Sequence, residues 1–272
     1  MSRESRATIV AFGCFLALPG VAMAEEQDDP TRPVTSVDLR PHYEDDTVSA
    51  RNDRLNLIFR RNDKWILDGN WKLATRMDVP LAFSDSQTDA NPSGAYRAGL
   101  GRVLLESYVA DLLDDRWAFA AGSQLVTPAS SSNLGSGNWD LVPVMGARYM
   151  LPEISNGSYF IPEVRYAVSI GRSFKSRSTS ESRAASELQF GPQLKVMVGP
   201  DWFFTLFPST DIRVNFGRKV TGQTGRLFLP LDGEIGCNLS DTQVASLEVS
   251  APLVRDYPLY RLKIEARLSV RL

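Results

Sequence analysis

The feature that most constrains this chain is an alternation of apolar and polar residues, which recurs in short segments from about residue 34 onwards. In the last segment, 260–272, every even position is apolar, and the odd positions carry Arg, Lys, Glu or Ser. A period of two is typical of β-strands with one apolar face, and no stretch fits a helix of normal length. The alternation predicts about twelve strands, at 35–42, 55–60, 65–78, 96–112, 117–126, 138–149, 160–170, 188–198, 204–216, 227–238, 245–253 and 260–272.

The connections between these strands alternate in length. Short polar turns are predicted at 61–64, 114–116, 152–157, 199–201 and 240–242. Long loops rich in Ser, Gly, Asn and Arg are predicted at 84–95, 128–137, 172–184 and 217–225. Bacterial outer-membrane barrels have an even number of strands, short periplasmic turns and longer extracellular loops. The sequence therefore predicts an all-β fold, an antiparallel transmembrane β-barrel of the outer-membrane type with both termini in the periplasm.

The N-terminus has the order of a secretory signal peptide. Arg3 and Arg6 precede an apolar run over 7–21, and Ala22-Met23-Ala24 supplies small residues before an acidic segment. This order predicts cleavage after Ala24, which leaves a flexible acidic arm at 25–33 and a barrel at 34–272. Nothing after residue 24 approaches the roughly 18 consecutive apolar residues of a membrane-spanning helix. A membrane-spanning mature chain must therefore be a closed barrel.

Aromatic residues near the short turns indicate which way the apolar face points. Trp65, Trp117 and Trp202 each open a predicted strand directly after a short turn, and Tyr159 does so together with Phe160. Aromatic girdles mark the membrane interfaces of such barrels, so we expect these side chains at the periplasmic interface and the apolar face towards lipid. A soluble barrel or sandwich with its apolar face inward has the same alternation and is the alternative fold.

Two features resist the strand assignment. One phase of segment 96–113 turns Arg102 and Glu106 towards lipid, and a bulge there would return them to the interior. Prolines also lie inside predicted strands, where each removes a ladder hydrogen bond, so these strands contain bulges or have different boundaries. A further hypothesis is that the kinked strands open the barrel wall, so that an apolar solute leaves the lumen laterally into the membrane. Ordinary bulges at strand ends are the favoured interpretation of these prolines. The prolines concerned are Pro80, Pro143, Pro162, Pro192, Pro208, Pro230 and Pro252.

With the apolar face towards lipid, charged residues of both signs line the lumen. Rings of charged side chains give pores their selectivity for ions or zwitterionic solutes. Cross-strand ion pairs that simply fill and rigidify the barrel are an equally good interpretation. The candidate lumen-lining residues are Arg40, His42, Asp68, Lys72, Arg76, Asp78, Asp140, Arg148, Glu163, Arg165, Asp211, Arg213, Asp232, Glu234, Arg261, Lys263, Glu265 and Arg267.

Several stretches resemble the family of outer-membrane transporters assigned to the MetA pathway of phenol degradation. The resemblance implies an outer-membrane barrel that takes part in the uptake of small organic molecules. This sequence differs from the family at Arg102, where an acidic residue is familiar, and from most barrels at Leu272, where an aromatic residue commonly directs the chain to the barrel-assembly machinery. The stretches are Arg-Met-Asp-Val-Pro at 76–80, Gly-Leu-Gly at 99–101, Thr-Pro at 127–128, Leu-Gly-Ser-Gly-Asn-Trp at 134–139, Pro143, and Gly-Pro-Asp-Trp at 199–202.

The sequence predicts a channel or transporter for passive uptake of small solutes, including small organic or aromatic compounds, and not an enzyme. Export would change the counts from 30 basic and 32 acidic residues to 28 and 31, and a net charge of −3 gives no support for nucleic-acid binding. No cofactor or metal is implied. The expected partners are outer-membrane lipid, lipopolysaccharide, the barrel-assembly machinery and a solute whose identity the sequence leaves open.

Two other functions remain open. A non-conducting scaffold or receptor barrel would contact lipopolysaccharide phosphates through basic loop residues such as Arg172, Lys175, Arg177 and Arg183. A lipid-modifying barrel enzyme would have to use His42, because it is the single histidine of the chain. The chain has no Gly-x-Ser-x-Gly motif, which makes catalysis the weakest of the three hypotheses.

Overall fold

A computed structural model describes residues 31–46, 52–85, 91–132, 134–173, 184–218, 223–257 and 259–272. The predicted signal peptide at 1–24, positions 25–30 of the predicted arm, and Lys175, Arg177 and Arg183 lie outside these residues. The remaining arm residues are not uniformly exposed, since Thr31 is buried. In the part of the chain that the structure describes, no helix is long and apolar enough to cross a membrane.

The described chain is built of β-strands. The strand segments are β1 (Ser36–Asp46), β2 (Asn52–Ile66), β3 (Trp71–Ser84), β4 (Arg97–Leu100), β5 (Leu104–Leu112), β6 (Trp117–Val126), β7 (Asn138–Met150), β8 (Tyr159–Arg172), β9 (Ser186–Val198), β10 (Trp202–Leu206), β11 (Ile212–Asn215), β12 (Leu227–Asn238), β13 (Gln243–Arg255) and β14 (Leu262–Arg271).

These segments form one closed antiparallel barrel of twelve strands. The segments β4 and β5 both pair with β3, and the segments β10 and β11 both pair with β9 and β12, so each of these two couples makes one barrel strand. The barrel closes where β1 pairs with β14, for example at Leu39 opposite Leu268. Closure leaves no unpaired sheet edge, which a membrane-spanning sheet requires. The predicted fold class is confirmed.

The predicted turns and long loops fall between the strands of the structure, with one correction. The expected turn at 61–64 is wrong, because β2 continues to Ile66 and the chain reverses after it at 67–70. The amide of Trp71 donates to the carbonyl of Asp68 there, and Gly69 adopts a φ of 53° that suits glycine. Arg61 and Asp63 have turn-like polarity, yet they pair with each other at 2.8 Å within the strand.

The two faces of the barrel have the opposite polarity from a soluble protein. Large apolar side chains such as Phe59, Met145 and Leu231 are more than half exposed on the outside, at 51%, 57% and 55%. The inside carries fully buried polar groups such as Asp38 and Arg148. Soluble proteins almost never bury charged side chains while exposing rows of large apolar ones. The inversion matches a barrel whose outer face contacts lipid.

Three of the four aromatic residues predicted to form an interface girdle face outward at one end of the barrel, and the fourth, a tyrosine, does not. Trp65, Trp117 and Trp202 all lie at the short-turn end of the barrel and are about half exposed. Trp65 lies next to the last residue of β2, whereas the sequence predicts it at the start of a strand. Tyr159 is only 2% exposed and points inward, because β8 pairs with β7 in a register that places Phe160 outward opposite Tyr149.

The in-strand prolines have both of the effects expected of them. A register shift occurs at Pro230, which lies opposite Pro252 on β13, and Pro162 likewise lies opposite Pro192 between β8 and β9. Pro208 lies outside the ladder altogether, in the interruption between β10 and β11. Bulges and an incorrect boundary therefore both occur.

Candidate functional site

A cavity of about 400 Å³ lies inside the barrel. Because the apolar residues of each strand face outward, the alternate positions direct their charged side chains into this space. The ionisable residues that line it are Arg40, His42, Arg60, Arg76, Glu106, Glu163, Arg165, Asp211, Arg213, Glu234, Glu248, Glu265 and Arg267.

Most of the residues predicted to line the lumen do lie inside the barrel. Ten of them contact the cavity itself, namely Arg40, His42, Arg76, Glu163, Arg165, Asp211, Arg213, Glu234, Glu265 and Arg267. Five more are buried in the barrel interior without lining that cavity, namely Asp78, Asp140, Arg148, Asp232 and Lys263. Lys72 lies near the short-turn end of β3, in the same inward phase as Arg76.

Two of the predicted lumen residues do not lie there. Asp68 is exposed in the turn that follows β2. Arg261 is exposed before β14, where its amide donates to the carbonyl of Asp45, and the neighbouring Tyr260 is buried in its place. The alternation predicts that Arg261 faces inward and Tyr260 outward. It fails there because 260–261 precedes β14, and the inward-facing positions change between this stretch and the strand.

Sequence reasoning also missed several lining residues. Gln124 on β6 and Gln193 on β9 line the cavity, and the alternation of their strands contained the signal for both. Positions 207–210 line it as well, although they belong to no strand. Only Pro208 indicated from the sequence that the strand is interrupted there.

Charges of opposite sign alternate across the first three strands. Arg60 of β2 donates two hydrogen bonds to Asp78 of β3, at 2.7 and 2.8 Å. Arg40 of β1 binds Asp38 at 2.8 Å and reaches Glu265 of β14 at 3.1 Å. Each guanidinium is therefore held by at least one carboxylate, which fixes its orientation towards the lumen.

The same pattern continues along the wall. Arg76 of β3 lies 3.1 Å from Glu106 of β5, which also accepts a 2.8 Å hydrogen bond from the amide of Gln124. Arg165 and Glu163 pair within β8. Paired charges of both signs thus line the cavity with hydrogen-bond donors and acceptors.

Glu106 and Arg102 occupy the segment whose phase the sequence left ambiguous. The interruption between β4 and β5 resolves it, because Glu106 becomes buried and Arg102 reaches Asp140 at 2.5 Å. The guanidinium of Arg102 also donates to the carbonyls of Thr127 and Asn138, both at 3.1 Å. Arg102 therefore anchors the loop at 127–137 to the barrel mouth.

That loop folds inward and carries the most distinctive stretch of the sequence. Leu134 is buried against Ala82 and Ala129. Gly135 has a φ of 149°, a backbone conformation that favours glycine, and a Cβ there would make a tight contact of 3.2 Å with Ala129. Trp139 follows on the outer face, with its Nε1 donating to the hydroxyl of Ser173 at 3.0 Å. The stretch at 134–139 therefore shapes the long-loop end of the lumen.

His42 is held by two carboxylates. Its Nδ1 lies 2.8 Å from Glu265 and its Nε2 lies 3.1 Å from Glu44. A general base in a hydrolytic site needs one ring nitrogen facing a hydroxyl nucleophile. Both nitrogens of His42 face carboxylates instead, so the arrangement resembles the other charge pairs of the wall.

Three carboxylates converge on Lys263. The oxygens of Asp211, Asp232 and Glu248 lie within 4.8 Å of one another, a spacing that could hold a cation. The ammonium of Lys263 occupies their centre, at 2.5 Å from Asp211, 3.5 Å from Asp232 and in contact with Glu248. The protein's own lysine supplies the positive charge here.

Comparison with known proteins identifies relatives by fold. No family model and no curated protein matches the sequence. Among solved structures, an outer membrane channel from Pseudomonas putida F1 is 14% identical, with a TM-score of 0.67 over 88% of this chain and 96% of that chain. The NanC porin is 11% identical, with a TM-score of 0.51 over 87% of this chain and 98% of that one. The translocator domain of the autotransporter NalP from Neisseria meningitidis is 10% identical, with a TM-score of 0.51 over 87% of both chains. At these identities the likeness shows the fold of outer-membrane β-barrels.

Proposed function

We propose that this chain is a passive channel of the bacterial outer membrane that admits small charged organic solutes. One observation carries the proposal, namely a cavity of about 400 Å³ lined by ionisable side chains inside a barrel with an apolar outer face. Rings of charged side chains are a general means by which pores select solutes. That two of the solved structures of similar fold are a channel and a porin agrees with this function.

The chemistry of the lining suggests the solute class. Arginines on three adjacent strands, Arg40, Arg60 and Arg76, face the cavity. Planar guanidinium groups match carboxylates and stack on aromatic rings. Apolar side chains such as Ile58 and Leu104 lie beside them. We therefore propose small aromatic carboxylates as solutes, in line with the resemblance to transporters of aromatic degradation.

The remaining elements of the proposal concern export and assembly. We propose that the signal peptide ending at Ala24 directs export, and that the barrel-assembly machinery inserts the mature chain. In the membrane the outer face would contact lipid, and the long loops would meet lipopolysaccharide.

Planar-bilayer recording of the refolded mature chain tests the function. We expect discrete conductance steps, a reversal potential in a salt gradient that reports ionic selectivity, and a reduction of current by benzoate that exceeds the reduction by benzyl alcohol. Absence of any conductance from correctly folded barrels would replace the channel with the scaffold hypothesis.

A variant separates the channel from an enzyme. Both nitrogens of His42 contact carboxylates, so His42→Ala should change ionic selectivity. Neither the unaltered chain nor the variant should hydrolyse phospholipid. Phospholipid hydrolysis by the unaltered chain that disappears in His42→Ala would contradict the proposal.

A further inference from the structure

One barrel strand contains a surplus of two residues. Leu206 pairs with Leu194 and Ile212 pairs with Phe190, so 207–211 lies opposite only the three residues 191–193 of β9. The other neighbour shows the same surplus, since Leu206 pairs with Gly233 and Arg213 with Phe228. Surplus residues must leave the plane of the sheet.

The surplus segment, 207–211, folds into the lumen. Phe207 turns the backbone with a φ of 51°, which is rare for a residue with a side chain. Ser209 and Thr210 then line the cavity. A Cβ at Gly191 would lie 2.8 Å from Cγ2 of Thr210 and 3.2 Å from its Cα, so the segment packs closely on the inner wall of β9 at Gly191.

Lys263 of β14 ties this segment to the part of the wall formed by β13 and β14. Its ammonium lies 2.5 Å from Asp211 and 3.1 Å from the hydroxyl of Ser209. It also contacts Glu248 of β13, which accepts a 2.8 Å hydrogen bond from Ser209. The hydroxyl of Tyr260 donates to Asp211 at 3.0 Å. Removal of the lysine would leave Asp211, Asp232 and Glu248 facing one another, and Arg213, at 2.9 Å from Asp211, would offset only part of the repulsion between them.

We propose that the segment 207–211 is the constriction that sets the size limit of the channel, and that Lys263 is the positioning residue that holds it across the lumen. The inference rests on the proposed channel function. The segment contributes an aromatic ring, a proline and two small hydroxyl side chains at positions 207–210 to an otherwise mostly ionic lining. It therefore limits solutes by size, while the charged wall discriminates them by charge.

Swelling of liposomes that contain the mature protein measures the size limit. Lys263→Gln should shift the permeation limit for neutral sugars from small ones such as glucose towards larger ones such as raffinose. Arg271→Gln is the matched control, because it removes one positive charge from the same strand at a half-buried site where the guanidinium donates to the carbonyl of Asp241, away from the segment. The control should keep the original limit.

A disulfide provides a readout of position that does not need conductance. In a Cys237→Ser background, Gly191→Cys combined with Thr210→Cys should form a crosslink, because the two sites are in contact. The crosslink should form more slowly once Lys263→Gln is added. Oxidation of that variant should restore the small permeation limit, and reduction should abolish it again.

The outcomes separate the two proposals. A protein that crosslinks readily but never conducts keeps the segment in place and overturns only the channel function. A conducting protein with the same size limit in the wild type, in Lys263→Gln and in both redox states overturns the constriction. If Lys263→Gln fails to fold, as judged by heat-modifiable mobility on gels, Asp211→Asn weakens the same contact from the segment side and must give the same shift.

Discussion

Leu39 of β1 lies directly opposite Leu268 of β14, and both side chains project from the outside of the barrel. The pair marks the seam at which the first and last strands join, and it shows that the apolar face continues across the closure. A barrel that spans a membrane needs this closed seam, because unpaired backbone groups at an open edge would lie in hydrocarbon.

The outer face predicts a cost for charge. Val249 lies near the middle of β13 and is 44% exposed on the outside, so Val249→Arg should lower the free energy of unfolding by about 2 to 4 kcal/mol. Urea titration of the barrel refolded in vesicles measures it. Thr242→Arg, in the exposed turn before β13, is the control and should have little effect. Equal effects of the two variants would argue against lipid contact at Val249.

The buried charge pairs predict a different pattern. Arg60→Ala leaves Asp78 without its bidentate partner and should destabilise the barrel by about 3 kcal/mol. The double variant Arg60→Met, Asp78→Leu removes both charges and should recover much of that loss. Denaturant titration of the three proteins tests this. After Arg60→Ala, Asp78 keeps the longer 3.5 Å contact with Arg76. A double variant less stable than Arg60→Ala would show that the pair itself, and not the weakly paired carboxylate, carries the energy.

Close packing inside the lumen predicts the outcome at a glycine. A Cβ at Gly236 would overlap the ring of Phe203, which is buried beneath the ammonium of Lys195 at 3.6 Å. Gly236→Ala should therefore cost about 1 to 3 kcal/mol of unfolding free energy. Gly233→Ala on the same strand meets only Phe204, at an ordinary 3.7 Å, and serves as the control. Similar stabilities of the two variants would mean that Phe203 moves aside freely.

The turn between β5 and β6 predicts a dependence on pH. The carboxylate of Asp114 accepts hydrogen bonds from the amides of Trp117 and Arg116, both at 2.7 Å, and these hold its pKa below the ordinary value of 3.8. A lowered folded-state pKa gives stability above the unfolded pKa that is lost as the pH falls through the folded value. Asp114→Ala should therefore be less stable than the wild type at pH 7.

The pH series supplies its own control. The difference between Asp114→Ala and the wild type should shrink when the urea titration is repeated at a pH below the lowered pKa of Asp114. A difference that stays constant down to that pH would assign the effect to the side chain's packing and not to its charge.

Much of the fold could be predicted from the sequence, because each strand of a barrel in lipid needs apolar residues on its outer face and polar residues on its inner face, at alternate positions. The period of two in segments such as 138–149 and 227–238 gave strands that the structure reproduces almost to the residue. Turn chemistry was less reliable. The polar run at 61–64 predicts a turn, but the chain turns at Asp68-Gly69-Asn70, whose glycine adopts a positive φ and is the better turn signal.

The site could be predicted only in part. Which alternate residues of a strand face inward decides which side chains enter the lumen. Before β14 the inward set changes, so Tyr260 is buried and Arg261 is exposed, and the alternation of the sequence does not show this change. The inward segment at 207–211 could be recognised only from a count of its residues against the residues opposite it on the two neighbouring strands. That count requires the register, which no local pattern contains.

The central claim is that neighbouring residues of one strand face hydrocarbon and an enclosed aqueous lumen in turn. Leu247 is 45% exposed on the outside of β13, while Ser246 lines the cavity. In a Cys237→Ser background, a fluorophore attached at Leu247→Cys should be quenched by spin-labelled lipid and not by aqueous iodide, whereas one at Ser246→Cys should show the reverse. Quenching by iodide at Leu247 together with quenching by lipid at Ser246, or no quenching by lipid at either site, would contradict the account.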